Sequence, residues 1–156
     1  MRALIVSAAP RPRSLTHSLA VTAAETLRQQ DYRVDLLDLH VIGWNPVVHP
    51  HDFSVAEFSL PLGEHARAAH RASTLSPEVR HHQSLLRDAD LVVFVFPLWW
   101  GGMPAILKGW VDRIFTDGFA YGLRDADNQP RKYGDGAFIG KTGVLITTAG
   151  ERASAF

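Results

Sequence analysis

Three short segments carry the residues whose types and spacing could do chemistry. Ser14 and Thr16 stand where a helix is expected to begin, with Arg11 and Arg13 beside them. Free amides at a helix start, short hydroxyls and guanidinium charge together suit a phosphate, although Ser14 in this position is also what an ordinary helix cap looks like. Pro97-Leu98-Trp99-Trp100-Gly101-Gly102 sets two indoles and two glycines directly after an apolar run. Such a turn suits a planar ring, which gains apolar contact from the indoles while the glycines let it approach the backbone. The other reading, a packing anchor, is the one expected for Trp110, which falls in a helical apolar stripe. For Trp99 and Trp100 the strand-end position favours a ligand. Thr147-Thr148-Ala149-Gly150 offers hydroxyls and amides to the polar edge of the same ring. Fixed amide dipoles there would stabilise the negative charge that such a ring gains on reduction.

Other chemistries fit less well. The chain has no cysteine, which removes disulfides, thiolate catalysis and cysteine-rich zinc sites. The first loop is neither a Gly-rich phosphate loop with its Lys nor a GxGxxG fingerprint, no GxSxG elbow follows any strand, and the chain has no HExxH. Among the eight histidines, His49/His51 and His81/His82 lie too close in sequence to face one ligand point from regular structure, and His65/His70 fall in the irregular stretch, so no metal site is expected. Lysine plus arginine and aspartate plus glutamate balance at 16 each, so no net field draws nucleic acid or an anionic membrane. No apolar run approaches membrane-spanning length, and no targeting segment precedes the first strand-like run. A cytoplasmic globular protein is expected, and its 156 residues are read as one domain over 1–156.

The elements that must position these segments follow from the apolar pattern. Arg2 to Ala8, Tyr32 to Leu39, Leu91 to Phe96 and Thr142 to Thr148 read as strands. Leu15, Leu19, Ala23 and Leu27 fall four apart and predict one face of a helix. Ser76-Pro77 predicts a cap and first residue for a helix running to about Asp88. Ile106, Leu107, Trp110, Val111, Ile114 and Phe115 predict the apolar stripe of another, starting at Pro104. Val41 to Ser76 shows no sustained period and reads as a long irregular excursion. Strands alternating with helices argue an α/β fold with a parallel sheet covered on both faces. Ligands of such sheets sit beyond the carboxyl ends of the strands, so the three segments are expected to converge.

At "FPLWWGGMPAILKGWVDRIF" and "GFAYG" the chain resembles the NAD(P)H:quinone oxidoreductase family of flavodoxin-like flavoproteins. The likeness extends through "ALIVSAAPRPRSLTHSLA", "WNPVVHPHDF", "LSPEVRHHQSLLRDADLVVFVFPLWW" and "ITTAG". The resemblance implies a doubly wound sheet of order 2-1-3-4(-5) and a cytoplasmic homodimer. It also implies a flavin, read as FAD from the long Val41–Ser76 excursion with FMN as the alternative, and NAD(P)H as co-substrate. A quinone would be the acceptor, in ping-pong two-electron transfer. A flavin-binding regulatory protein without turnover is the alternative role, and a flavin-free interaction protein a further one. Carried over by position, Ser14, Leu15 and Thr16 match the pyrophosphate stretch. Pro97, Leu98, Trp99, Trp100 and Gly101 match the ring-binding turn, and Thr147, Thr148, Ala149 and Gly150 the loop at the pyrimidine side. Trp100 and Tyr121 match the substrate pocket, Tyr121 as a residue lent by a partner subunit. The chain departs from the family at Ala9, where histidine is frequent, and at Leu15 and Gly101, where aromatics are. Phe156 comes eight residues after the fourth strand, so a fifth strand and the last helices are expected to be lacking and the fourth strand to be an edge. The family's flavin-side tyrosine would fall near Ala155 or Phe156, and no residue is assigned its role.

Overall fold

A computed structural model of the chain describes residues 1–132 and 134–150. Four strands, β1 (Arg2–Ser7), β2 (Arg33–Asp38), β3 (Leu91–Pro97) and β4 (Thr142–Thr148), form one parallel sheet of order β2-β1-β3-β4. Four helices accompany them: α1 (Leu15–Gln29), α2 (Leu62–Ala72), α3 (Pro77–Asp88) and α4 (Ala105–Ile114). The described residues group into two compact units. One is built from Met1–Pro46, Asp88–Trp110 and the segment beginning at Lys141, the other from Val47–Arg87 and Val111–Gly140.

The first unit holds the sheet. Alternation along β3 sends Val93 and Val95 to one face, where with Ile5 they meet Ala20 and Ala24 of α1. The opposite face takes Phe94, whose ring meets Trp110 edge-on at 5.9 Å. Trp110 and Leu107 are fully buried, so Trp110 is the core anchor that the stripe predicted. The face of α1 is rotated from the expected one. Thr16, Ala20 and Ala24 are buried, Leu19, Ala23 and Leu27 are half-buried, and Leu15 is 67% exposed. A row of residues four apart advances by about 40° at each step on a helix with 3.6 residues per turn. Followed back from Leu19, the row has left the sheet by Leu15. The β4 strand is the edge of the sheet among the described residues, and Leu145 on it is 68% exposed.

The second unit corrects the reading of Val41–Ser76 as irregular. Pro50–Phe53 forms a single 3-10 turn, and Leu62–Ala72 forms α2. The buried face of α2 is His65, Ala66 and Ala69, small or polar residues that give no strong apolar period. His65 accepts backbone hydrogen bonds from Ser59 (3.2 Å) and Leu60 (3.0 Å), satisfying the imidazole inside the fold. The α3 helix begins as predicted, with the Ser76 hydroxyl accepting from the Val79 amide at 3.3 Å. Gln83 lies wholly inside and donates to the Ile114 carbonyl and the Thr116 hydroxyl, both at 3.0 Å.

His82 on α3 gives this unit a pH dependence. Burial first, and then the neighbouring His81, push its pKa from 6.5 down to about 4. Below about pH 6.5 the unfolded chain takes up this proton while the folded chain does not, so folding is progressively opposed until pH about 4. Stability is expected to fall by at most about 3 kcal/mol across that window and to be insensitive to this group above it. Urea denaturation at a series of pH values checks this: His82→Gln should flatten the slope, and an unchanged slope would assign it to other groups.

Candidate functional site

Parallel register brings the carboxyl ends of β1, β3 and β4 side by side. Ser7 pairs with Val95 and Pro97 with Thr148, while the Ala8 amide donates to the Val95 carbonyl (2.9 Å) and the Leu98 amide to the Thr148 carbonyl (2.8 Å). The loops that follow line one cavity of about 580 Å³, made by Pro10, Arg11, Ser14, Leu15, Thr16, Pro97, Leu98, Trp99, Thr148, Ala149 and Gly150. All of these belong to the first unit. Nine of the residues singled out from the sequence therefore meet there, joined by Arg11, which was noted for its charge, and by Pro10, which was not. Proline has no distinguishing chemistry to announce it.

The first loop is fixed by Ser14. Its backbone is extended, its hydroxyl donates to the Arg11 carbonyl (2.9 Å), and it accepts from the His17 amide (3.2 Å). Ser14 is thus a working helix cap, and the anion-binding capacity of the segment passes to its neighbours. The amides of Leu15 and Thr16 open the helix and have no intrahelical acceptor. Arg11 adds positive charge on the same wall. Thr16 is buried, and its hydroxyl lies 2.7 Å from that of Thr148, so the first turn of α1 is tied to the end of β4.

The tryptophan turn has a specific shape. Trp99 and Gly102 exchange both backbone hydrogen bonds, each 2.9 Å, which leaves Trp100 and Gly101 as the two central residues. Their φ values are +50° and +75°, the pattern of a type I′ turn. Positive φ is ordinary for Gly101 and uncommon for a residue as large as Trp100. The Trp100 indole projects fully into solvent, whereas Trp99, 48% exposed, lines the cavity. The amides of Leu98 and Trp99 are committed to backbone partners, so the peptide groups offered to a ligand come from elsewhere in the site.

Four expected residues do not line this cavity. Trp100 and Gly101 form the tip of the turn. Thr147 is the exposed neighbour of Thr148, and alternation along a strand sends the two side chains to opposite faces. Tyr121 belongs to the second unit, where it is 53% exposed beside a separate cavity lined also by Leu123, Arg131 and Lys132. Ala155 and Phe156 lie outside the described residues. Among the described residues no group of three or more His, Asp or Glu side chains is placed to hold a metal, and no helix is long and apolar enough to cross a membrane.

A family model described as a flavodoxin-like fold matches residues 1–156. The chain belongs to that family. Its sequence is 40% identical over 154 residues to a ribosyldihydronicotinamide dehydrogenase-like protein of Penicillium crustosum, covering 96% of this chain and 58% of that one. It is 35% identical over 158 residues to NAD(P)H dehydrogenase [quinone] 1 of Cavia porcellus, covering 97% and 54%. Among solved structures it is similar to a candidate quinone reductase of Klebsiella pneumoniae, with a TM-score of 0.89 and 36% identity over 98% of this chain and 61% of that one. The flavodoxin-like chain thus spans little more than half the length of these two curated relatives.

Proposed function

We propose that this flavodoxin-like chain holds a flavin in the three-loop cavity and serves NAD(P)H:quinone oxidoreduction. The observation that carries the reading is the meeting, in one cavity, of an anion-binding end with a flat apolar wall and a polar edge. The first is formed by the Leu15 and Thr16 amides with Arg11, the second by Leu15, Leu98 and Trp99, and the third by Thr148, Ala149 and Gly150. A volume of about 580 Å³ is in the range of cofactor sites, so the residues present fit the group. The names of the relatives, quinone and ribosyldihydronicotinamide dehydrogenases, agree with that use.

The chemistry supplied by a bound flavin is two-electron transfer from NAD(P)H to a quinone. The protein's part is to bind and orient. Ser14 holds the first turn of α1 in place, Arg11 and the helix amides take the phosphate end, and Trp99 with Leu15 covers the ring. FAD is the proposed form, with FMN as the alternative, because the excursion between β2 and α3 is long. The proposed assembly is a cytoplasmic homodimer in which the exposed Trp100 of one protomer, and Tyr121 lent by the other, border the acceptor pocket.

A visible absorbance spectrum of the purified protein, with chromatography of the released pigment, tests the cofactor and its form. NADPH oxidation with and without a quinone tests turnover. A colourless protein that takes up neither FAD nor FMN would overturn the reading. Trp100→Gly keeps the positive φ of the turn while removing the indole, and is expected to lower quinone turnover about fivefold, the equivalent of one aromatic contact of about 1 kcal/mol. Unchanged turnover would remove Trp100 from the acceptor pocket.

A further inference from the structure

The second unit contains a cavity of about 340 Å³ whose walls carry Arg67, Arg71, Arg124 and Arg131, with His70 beside them. Four guanidiniums around one small space are unexpected in a chain whose charges balance overall. One of them is neutralised: Asp117, itself buried, takes Arg67 bidentately at 2.9 and 2.6 Å. The other three have no carboxylate partner among the described residues.

Two of those three are held in place without losing their charge. Arg124 and Arg131 sit on facing arms of a hairpin, closed by hydrogen bonds from the Arg131 amide to the Leu123 carbonyl (2.9 Å) and from the Asp125 amide to the Gln129 carbonyl (3.0 Å). Arg124 donates to the Asn128 carbonyl (2.6 Å) and Arg131 to the Asp135 carbonyl (2.7 Å). A neutral carbonyl orients a guanidinium and leaves its positive charge and its other N–H groups for another acceptor. The carboxylates of Asp125 and Asp135 pair with neither guanidinium among the described residues. Asp125 accepts from the amides of Asp127 and Gln129, and Asp135 accepts from the amide of Lys132. Arg71, on α2, is exposed and makes no hydrogen bond or ion pair among the described residues. Three guanidiniums without a carboxylate partner among the described residues, two of them oriented by carbonyls, line one cavity and repel each other across it. An occupant with several negative oxygens relieves that repulsion and matches the fork of each side chain.

We propose that this cavity binds the phosphoryl group of a small phosphorylated ligand, held by Arg71, Arg124 and Arg131. The site is independent of the flavin reading, since every residue that lines it belongs to the second unit. Calorimetric titration of the full chain with pyrophosphate, in low-salt chloride buffer, tests it. The expected result is a saturable event, separate from any at the anion end of the three-loop cavity, that is weakened roughly tenfold by Arg71→Ala and again by Arg124→Ala, as the loss of a charged hydrogen bond predicts. Arg71→Ala removes an exposed side chain, so the variant should fold. Arg11→Ala, which removes charge from the anion end of the other cavity, should weaken any event there and leave the Arg71- and Arg124-dependent event unchanged. No saturable heat would overturn the proposal. So would an affinity indifferent to Arg71 and Arg124, or one lost with Arg11. A protein that binds no flavin still gives a readable answer.

Discussion

Replacing Asp52 with alanine is expected to destabilise the protein by about 3–5 kcal/mol, toward the lower end of that range. The Arg113 side chain is only 6% exposed and that of Asp52 3%, and the two are joined at 3.0 and 2.7 Å. Burial alone would pull the Arg113 pKa down, but the hydrogen bonds of Asp52 and Glu78 outweigh it and hold the pKa above its ordinary value. The guanidinium therefore stays charged inside the second unit, and removing Asp52 leaves that charge half-compensated. Glu78 remains at 2.6 Å, but its carboxylate is about half exposed and makes the smaller contribution. The same substitution also strips the acceptor from the His49 amide, now held at 3.0 Å at the start of the Pro50–Phe53 turn. Urea denaturation measures the loss. The informative companion is Asp52→Ala with Arg113→Met, which removes both charges and should recover most of the stability. If the double variant is no better than the single one, the energy lies in packing or in the turn rather than in the stranded charge.

That ion pair also marks where the sequence stops being readable. Strand runs such as Leu91–Val95 and Thr142–Thr148 announce themselves because a buried parallel strand is made of branched apolar residues, and Ser76-Pro77 because cap chemistry is local. The three-loop site was legible for the same reason, since the carboxyl ends of parallel strands place their loops by topology alone. Asp52 and Arg113 are two ordinary charges 61 positions apart, and nothing in either neighbourhood indicates their pairing. The α2 helix hides its buried face in alanines and a satisfied histidine. In the tryptophan turn, nothing in the composition shows that Trp100 shares the tip with Gly101, because the register of the Trp99–Gly102 hydrogen bonds decides which residues become central. The arginine cavity was invisible because Arg71 and the hairpin of Arg124 and Arg131 come together only through tertiary structure.

Gly109→Ala should be among the most damaging single-methyl changes in the first unit. Alanine is the better helix former by about 1 kcal/mol, so propensity alone predicts a gain. The position forbids it: a β-carbon on Gly109 would lie 2.1 Å from the Pro46 carbonyl oxygen and 2.4 Å from its α-carbon. Both are main-chain atoms, which cannot rotate aside as a flexible side chain would. Relief requires α4 and the Pro46 segment to part, and forced overpacking of this kind costs about 1–3 kcal/mol, at times more. The displacement would reach the candidate site, because Trp110, the next residue, packs edge-on against Phe94 of β3. The end of that strand donates from Leu98 to Thr148 across the mouth of the cavity. Gly109→Ala should therefore lower both the denaturation midpoint and the retention of the proposed flavin, whereas Gly143→Ala, whose new methyl meets nothing within 4 Å among the described residues, should leave both near their original values. Loss of stability with full flavin retention would show that the cavity is held by its own ties, the Thr16–Thr148 contact and the Leu98–Thr148 bond, and does not depend on the seating of α4.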